Sequence, residues 1–210
     1  MASVSTTKPD CEVEIISVKW GDHQVLKRLR MVLDMREIPD PQLKCPEASE
    51  NPQLTGRHSA VQKYLDSQAS FSDAQRDMAH FLNTKLEELQ SKTTGTIQLA
   101  IACTGGKHRS VYLAEIMAKI LQEQTGLKVS VRHCNIDTAE SSATELPESV
   151  PSSGSADPPQ MYRYNVARRT FDEINVPRLS DDAAKRLLQI GLERKKKKQK
   201  LVETGAASAT

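Results

Sequence analysis

A short apolar run, Ile97 to Ala102, leads straight into the octapeptide Cys103-Thr104-Gly105-Gly106-Lys107-His108-Arg109-Ser110, and a helix-like pattern begins near Val111. Buried strand, glycine turn and helix is the order this spacing predicts. A strand that feeds a helix returns to its sheet by a right-handed crossover, so the following strand pairs in parallel and the fold class is α/β. The same unit carries a chemistry. Backbone N–H groups at a helix start lack intrahelical partners, the helix dipole favours negative charge there, and Gly105-Gly106 lets an oxyanion approach closely. Lys107 and Arg109 add positive charge, and a phosphate group is the natural occupant.

The surrounding chain predicts an open, mainly parallel sheet flanked by helices. Strand patterns occupy Val13 to Val18, Met31 to Met35, and Leu127, Val129 and Val131 up to Arg132-His133. Helical spacing appears from Ser59 through Val61, Tyr64 and Leu65. It resumes from Asp73 with Ala74, Met78, Phe81, Leu82, Leu86 and Leu89, with Ser72 as the expected N-cap and Thr93-Thr94-Gly95 as the end. Val111, Ala114, Met117, Ala118 and Leu121 share a face until Thr125-Gly126. Pro39 to Gly56, with prolines at 39, 41, 46 and 52, reads as a long loop.

Residues 1–10 read as a flexible start, 11–137 as the α/β domain, and 138–160 as a disordered insertion rich in serine and proline. In 161–200 we expect a short docking helix over Tyr162 to Phe171 and a basic helix over Asp181 to Gln199; 201–210 form a flexible tail.

With 210 residues, 38% hydrophobic and 27% charged, one domain with a real core is the default. Cys11, Cys45, Cys103 and Cys134 form no CxxC pair, His133-Cys134 lacks ligand spacing, and no stretch resembles a signal peptide or membrane span. The expectation is an intracellular protein, cytoplasmic or nuclear, with no metal, no cofactor and no membrane partner.

The octapeptide fits Cys-x5-Arg-Ser, the pattern of cysteine-dependent phosphatases. In that alternative Cys103 would be the nucleophile, Arg109 the phosphate clamp and Asp40, between Pro39 and Pro41, the general acid. The opposing reading makes Cys103 a small buried residue ending a strand and the protein a non-enzyme.

The run from Ile101 to Glu115, with Cys-Thr-Gly-Gly-Lys-His-Arg-Ser at its centre, closely resembles the C-terminal domain of RapZ, the bacterial RNase adapter family. Val32-Leu33-Asp34-Met35-Arg36 is similar to that family's Phe-Asp-Val-Arg strand end, and Ile38-Pro39-Asp40-Pro41 to its Leu-Pro-Asn-Pro. Leu54-Thr55-Gly56 follows, and Val131-Arg132-His133 falls at a His-Arg-Asp-like end, so the similarity spans about residues 13 to 137. Two departures stand out. The sequence holds no Gly-x4-Gly-Lys-Ser/Thr, so we expect a free-standing C-terminal domain without the family's ATP site, and Cys134-Asn135 replaces a charged pair.

The resemblance implies a non-enzymatic sensor or adapter that binds an amino-sugar phosphate, glucosamine-6-phosphate, contacts a small RNA and works as an oligomer. The expected ligand residues are Asp34, Arg36, Cys103, Thr104, Gly105, Gly106, Lys107, His108, Arg109 and Ser110, with His58 near the site and His133 packing. Asp34 and Arg36 have a second reading as a structural ion pair. RNA would meet Lys185, Arg186, Arg194, Lys195, Lys196, Lys197, Lys198 and Lys200, a run that equally suits a nuclear localisation signal or a solvated helix end. A nuclear or scaffold interaction protein with a vestigial loop is the third alternative.

Overall fold

The computed structural model describes residues 11–26, 28–91, 95–136 and 159–174. The expected basic helix, the C-terminal tail and nearly all of the expected insertion lie outside the described residues.

Apolar β-branched runs give β1 (Glu12–Lys19), β2 (Met31–Asp34) and β3 (Thr96–Cys103); β4 (Lys128–His133), β5 (Gln160–Asn165) and β6 (Thr170–Glu173) complete a six-stranded sheet in the order β4-β1-β3-β2-β5-β6. All pairings are parallel except that of β5 with β6. The α/β expectation holds. β1 and β3, adjacent strands inside the sheet, are buried over most of their lengths, as continuous apolar runs require.

Helices α4 (Ser59–Asp66), α5 (Ala69–Gln90) and α6 (Arg109–Thr125) pack their apolar stripes on one face. Phe71, Ala74, Met78, Leu82 and Leu86 from α5 and Leu113, Ala114, Met117 and Leu121 from α6 meet Val13, Ile15, Leu33, Leu99 and Ile101. Burying each such large side chain contributes about 1.5–3 kcal/mol. Val25 and Leu26 of the short α1 (His23–Leu26), with Leu29, cover the smaller opposite cluster of Ile16, Val18, Val32, Ala100 and Ala102. Gly126, at φ +68, closes α6 in the left-handed conformation, as Thr125-Gly126 predicts.

Three expectations need correction. Helix α5 starts at Ala69, one turn before the expected cap; Ser72 lies inside it because Phe71 extends the buried stripe backwards. The Pro39 to Gly56 segment is not a plain loop but holds two short helices, α2 (Pro41–Lys44) and α3 (Pro46–Glu50), each with proline in its first turn. Tyr162 to Phe171 forms no docking helix. It is the β5–β6 hairpin, because Tyr162 and Tyr164 alternate onto the core face, where Tyr162 meets Phe81 and Tyr164 meets Phe171 at ring-centroid distances of 4.9 and 5.1 Å.

Chain direction sets the site. From β1 the chain moves through α1 to β2 on one side, whereas from β3 it moves through α6 to β4 on the other. The crevice beyond the carboxyl ends of β1 and β3 is therefore a topological switch point, where open α/β sheets bind ligands.

Candidate functional site

The Cys103 to Ser110 loop occupies that crevice. The Cys103 carbonyl accepts from Trp20 N–H at 2.8 Å, which ties the end of β3 to the end of β1. Gly106, at φ +69, is wedged against β1: a Cβ there would lie 2.3 Å from Asn135 Oδ1 and 2.6 Å from Lys19 N. Asn135 Oδ1 itself accepts from Lys19 N–H at 2.7 Å. Only glycine fits this close approach. The other side of the loop rests on Leu54-Thr55-Gly56, where Gly56 N–H donates to the Lys107 carbonyl at 2.8 Å and His108 Nε2 lies 2.9 Å from the Leu54 carbonyl. A Cβ on Gly56 would meet the His108 carbonyl at 2.3 Å. Held this way, the backbone N–H groups of Gly105 to Ser110 make no hydrogen bond to protein among the described residues.

Arg109 is 2% exposed and serves as a clamp within the fold. Its Nη1 donates to the Arg36 and Ile38 carbonyls at 3.1 and 2.6 Å, and its Nη2 to Asp40 Oδ2 at 2.6 Å and Thr104 Oγ1 at 3.0 Å. Its Nε is buried without a partner. Asp40 caps α2 by accepting from Gln42 N–H and faces His108 Nδ1 at 3.8 Å. The His108 imidazole and Arg109 guanidinium hold its carboxyl below the usual range. At 3.8 Å the imidazole is beyond hydrogen-bond reach whereas Arg109 Nη2 stands at 2.6 Å, so the guanidinium takes the larger share.

Asp34 and Arg36 do not face the loop as free readers. The Asp34 carboxylate is buried and fully engaged, accepting from Arg36 Nε and Nη2 at 2.9 Å each and from Arg163 Nε at 3.0 Å. The Arg36 guanidinium also lies 4.1 Å from the Trp20 ring centroid. This is the ion-pair alternative. Cys103 is buried with its Sγ 3.1 Å from Ser110 Oγ. His133, between Ser17 Oγ at 2.7 Å and Glu115 Oε1 at 2.9 Å, joins β1, β4 and α6. His58 is exposed and accepts from Thr55 N–H at 2.9 Å, outside the residues that line the cleft. The eight lysines and arginines from Lys185 to Lys200 expected to meet RNA lie outside the described residues.

A cleft of about 370 Å³ opens at the loop, lined by Lys19, Asp40, Gln42, Cys103, Thr104, Gly105, Lys107, His108 and Arg109. A larger groove of about 470 Å³ runs between α5 and α6, lined by Gln75, His80 and Asn83 among others. Size does not locate the site; converging amides and cations do. Lys19 and Gln42 escaped the sequence reading, although Lys19 ends β1 and strand ends line such crevices. Phosphatase chemistry finds little support here. The Asp40 carboxylate is engaged by Arg109 Nη2 and Gln42 N–H, and the Cys103 thiol, at the edge of the cleft, is buried against Ser110 Oγ. Among the described residues no three His, Cys, Asp or Glu side chains converge as a metal site, and no helix is long and apolar enough to cross a membrane.

Comparison with known proteins agrees with this architecture. The chain is 40% identical over 106 residues to a nucleotide-binding protein of Xylella fastidiosa (strain 9a5c), a match that covers 50% of this chain and 35% of that protein. It is 39% identical over 102 residues to the nucleotide-binding protein XAC2976 of Xanthomonas axonopodis pv. citri (strain 306), covering 49% of this chain and 35% of the relative. The matches thus span about a third of each curated relative's length. The family model for the RapZ C-terminal domain matches residues 11–137, from β1 through β4 and with the whole glycine loop inside it. On that match the chain belongs to the RapZ C-terminal domain family.

Proposed function

We propose that this chain is a regulatory sensor or adapter that binds a phosphorylated metabolite, an amino-sugar phosphate such as glucosamine-6-phosphate, at the Cys103 to Ser110 loop. One observation carries the reading: the unpartnered N–H groups of Gly105 to Ser110 head a 17-residue helix beside Lys19 and Lys107, at the sheet's switch point. Fixed amides at a helix start favour a doubly charged phosphate over neutral sugars. Lys19 and Lys107 line the cleft with positive charge, and Arg109 both braces the loop and contributes to the same lining. RNA contact through Lys185, Arg186 and the Arg194 to Lys200 run extends the proposal, supported by charge pattern alone.

Calorimetric titration of the full chain with glucosamine-6-phosphate, glucosamine and a nucleoside monophosphate tests it. The expected result is heat with the sugar phosphate, none with glucosamine, and loss of about tenfold or more in affinity in Lys107→Ala. A nucleotide that binds while the sugar phosphate does not would shift the ligand class. Silence with every phosphate would overturn the reading.

A further inference from the structure

The cleft that faces the loop amides contains a negative charge of its own. Asp40 Oδ2 lies 2.6 Å from Arg109 Nη2, and its other oxygen caps the first turn of Pro41–Lys44. Two anions cannot share a cradle this small without a large repulsion, because like charges forced together across a recognition site cost several kcal/mol. Arg109 bears a second mark of an unfinished contact. Its guanidinium is 98% buried and lines the cleft, yet its Nε has no acceptor. The clamp made by Nη1 and Nη2 leaves this one donor for a further acceptor. An edge with Nε and Nη2 side by side matches two oxygens of one tetrahedral anion, whereas Asp40 takes only Nη2.

We propose that the Asp40 carboxylate is a built-in competitor for the site's anion: it holds Arg109 until a phosphate dianion takes its place on Nε and Nη2. This rests on the reading of the loop as an anion site. The displaced carboxylate gives up its contact with Arg109, and the α2 turn that it caps loosens. Asp40 thereby sets specificity. A free carboxylate carries no more charge than Asp40 and competes against a group tethered at high effective concentration, so it fails to displace it; a phosphate monoester dianion succeeds. Gln42 and the exposed Leu43, on the same turn, would report the exchange.

The test compares wild type with Asp40→Asn, which keeps the side-chain size and a good N-cap while removing the charge. Both proteins, as the full 210-residue chain, are titrated with inorganic phosphate, glucosamine-6-phosphate and acetate. The expected result is a gain of about tenfold or more in phosphate affinity for D40N, with weaker discrimination against acetate. Equal or weaker phosphate binding by a folded D40N, alongside normal binding by wild type, would overturn this inference while leaving the loop as an anion site. No binding by either protein would overturn both. Amide exchange of the wild type provides an independent readout should D40N not fold. Protection at Leu43 and Cys45, whose N–H groups bond to Asp40 and Pro41 carbonyls, should fall on adding saturating phosphate, and unchanged protection would refute the displacement.

Discussion

Gly105 and Gly106 are adjacent in sequence and opposite in demand, and alanine substitution separates them. Gly106 has φ +69, where a Cβ costs about 1–2 kcal/mol. The added carbon would also sit 2.3 Å from Asn135 Oδ1 and 2.6 Å from Lys19 N. Asn135 can move, at the cost of its bond to Lys19 N–H, about 0.5–1.5 kcal/mol. The Lys19 amide belongs to the end of β1 and yields only if the strand shifts. Together these give a loss of about 3 kcal/mol for Gly106→Ala. Gly105 has nothing within 4 Å of its would-be Cβ and no positive φ, so Gly105→Ala should be neutral or stabilise by up to about 1 kcal/mol by restricting the unfolded chain. Urea unfolding of both variants, followed by circular dichroism, measures the difference. A Gly106→Ala loss below about 1 kcal/mol, or equal losses at the two positions, would refute the account of the loop as wedged between β1 and Asn135.

Arg109→Ala should destabilise the protein by about 3–5 kcal/mol, because it strands the Asp40 carboxylate and frees the Arg36 and Ile38 carbonyls; denaturant unfolding checks this. Loss of ligand binding in that variant alone would therefore not identify Arg109 as a ligand contact. Asp40 and Asp77 have carboxyls shifted downwards, Asp77 chiefly by the hydrogen-bonded Arg169, so the unfolded chain takes up their protons first. Their stabilisation is complete above the unfolded value of about 4 and is lost as pH falls through the folded values; urea midpoints from pH 7 to 3 should drop more steeply in wild type than in Asp77→Asn. Tyr112, desolvated and donating to Asp66, is pushed up to about 12, and an ultraviolet titration should lose one late-ionising phenol in Tyr112→Phe.

The centre of the fold was legible because β1, β2, β3 and β4 and the helices α4, α5 and α6 carry apolar periods strong enough to need no long-range information, whereas the four-residue α1 is too short to show one. The β5–β6 hairpin was not. Tyr162 and Tyr164 alternate over too few residues to separate strand from helix by pattern, and what makes them a strand is the open edge of β2, paired through Leu33 with Tyr162. The same distance hid the fate of Asp34. Its second cation, Arg163, stands 129 positions away and arrives only with β5. In the loop itself, Gly106, Lys107 and the helix start were readable as an anion cradle, but the direction of Arg109 was not, since Cys-x5-Arg spacing is the same whether the guanidinium points to a ligand or back to Ile38 and Asp40.

The claim on which the account rests is that the amides of Gly105 to Lys107 hold a phosphate. Amide NMR of the isotopically labelled chain during titration with glucosamine-6-phosphate addresses it at those atoms. The account predicts saturable shifts at Gly105, Gly106 and Lys107, reproduced by inorganic phosphate and absent with glucosamine. Shifts confined to other regions, or none at any of the three, would contradict it.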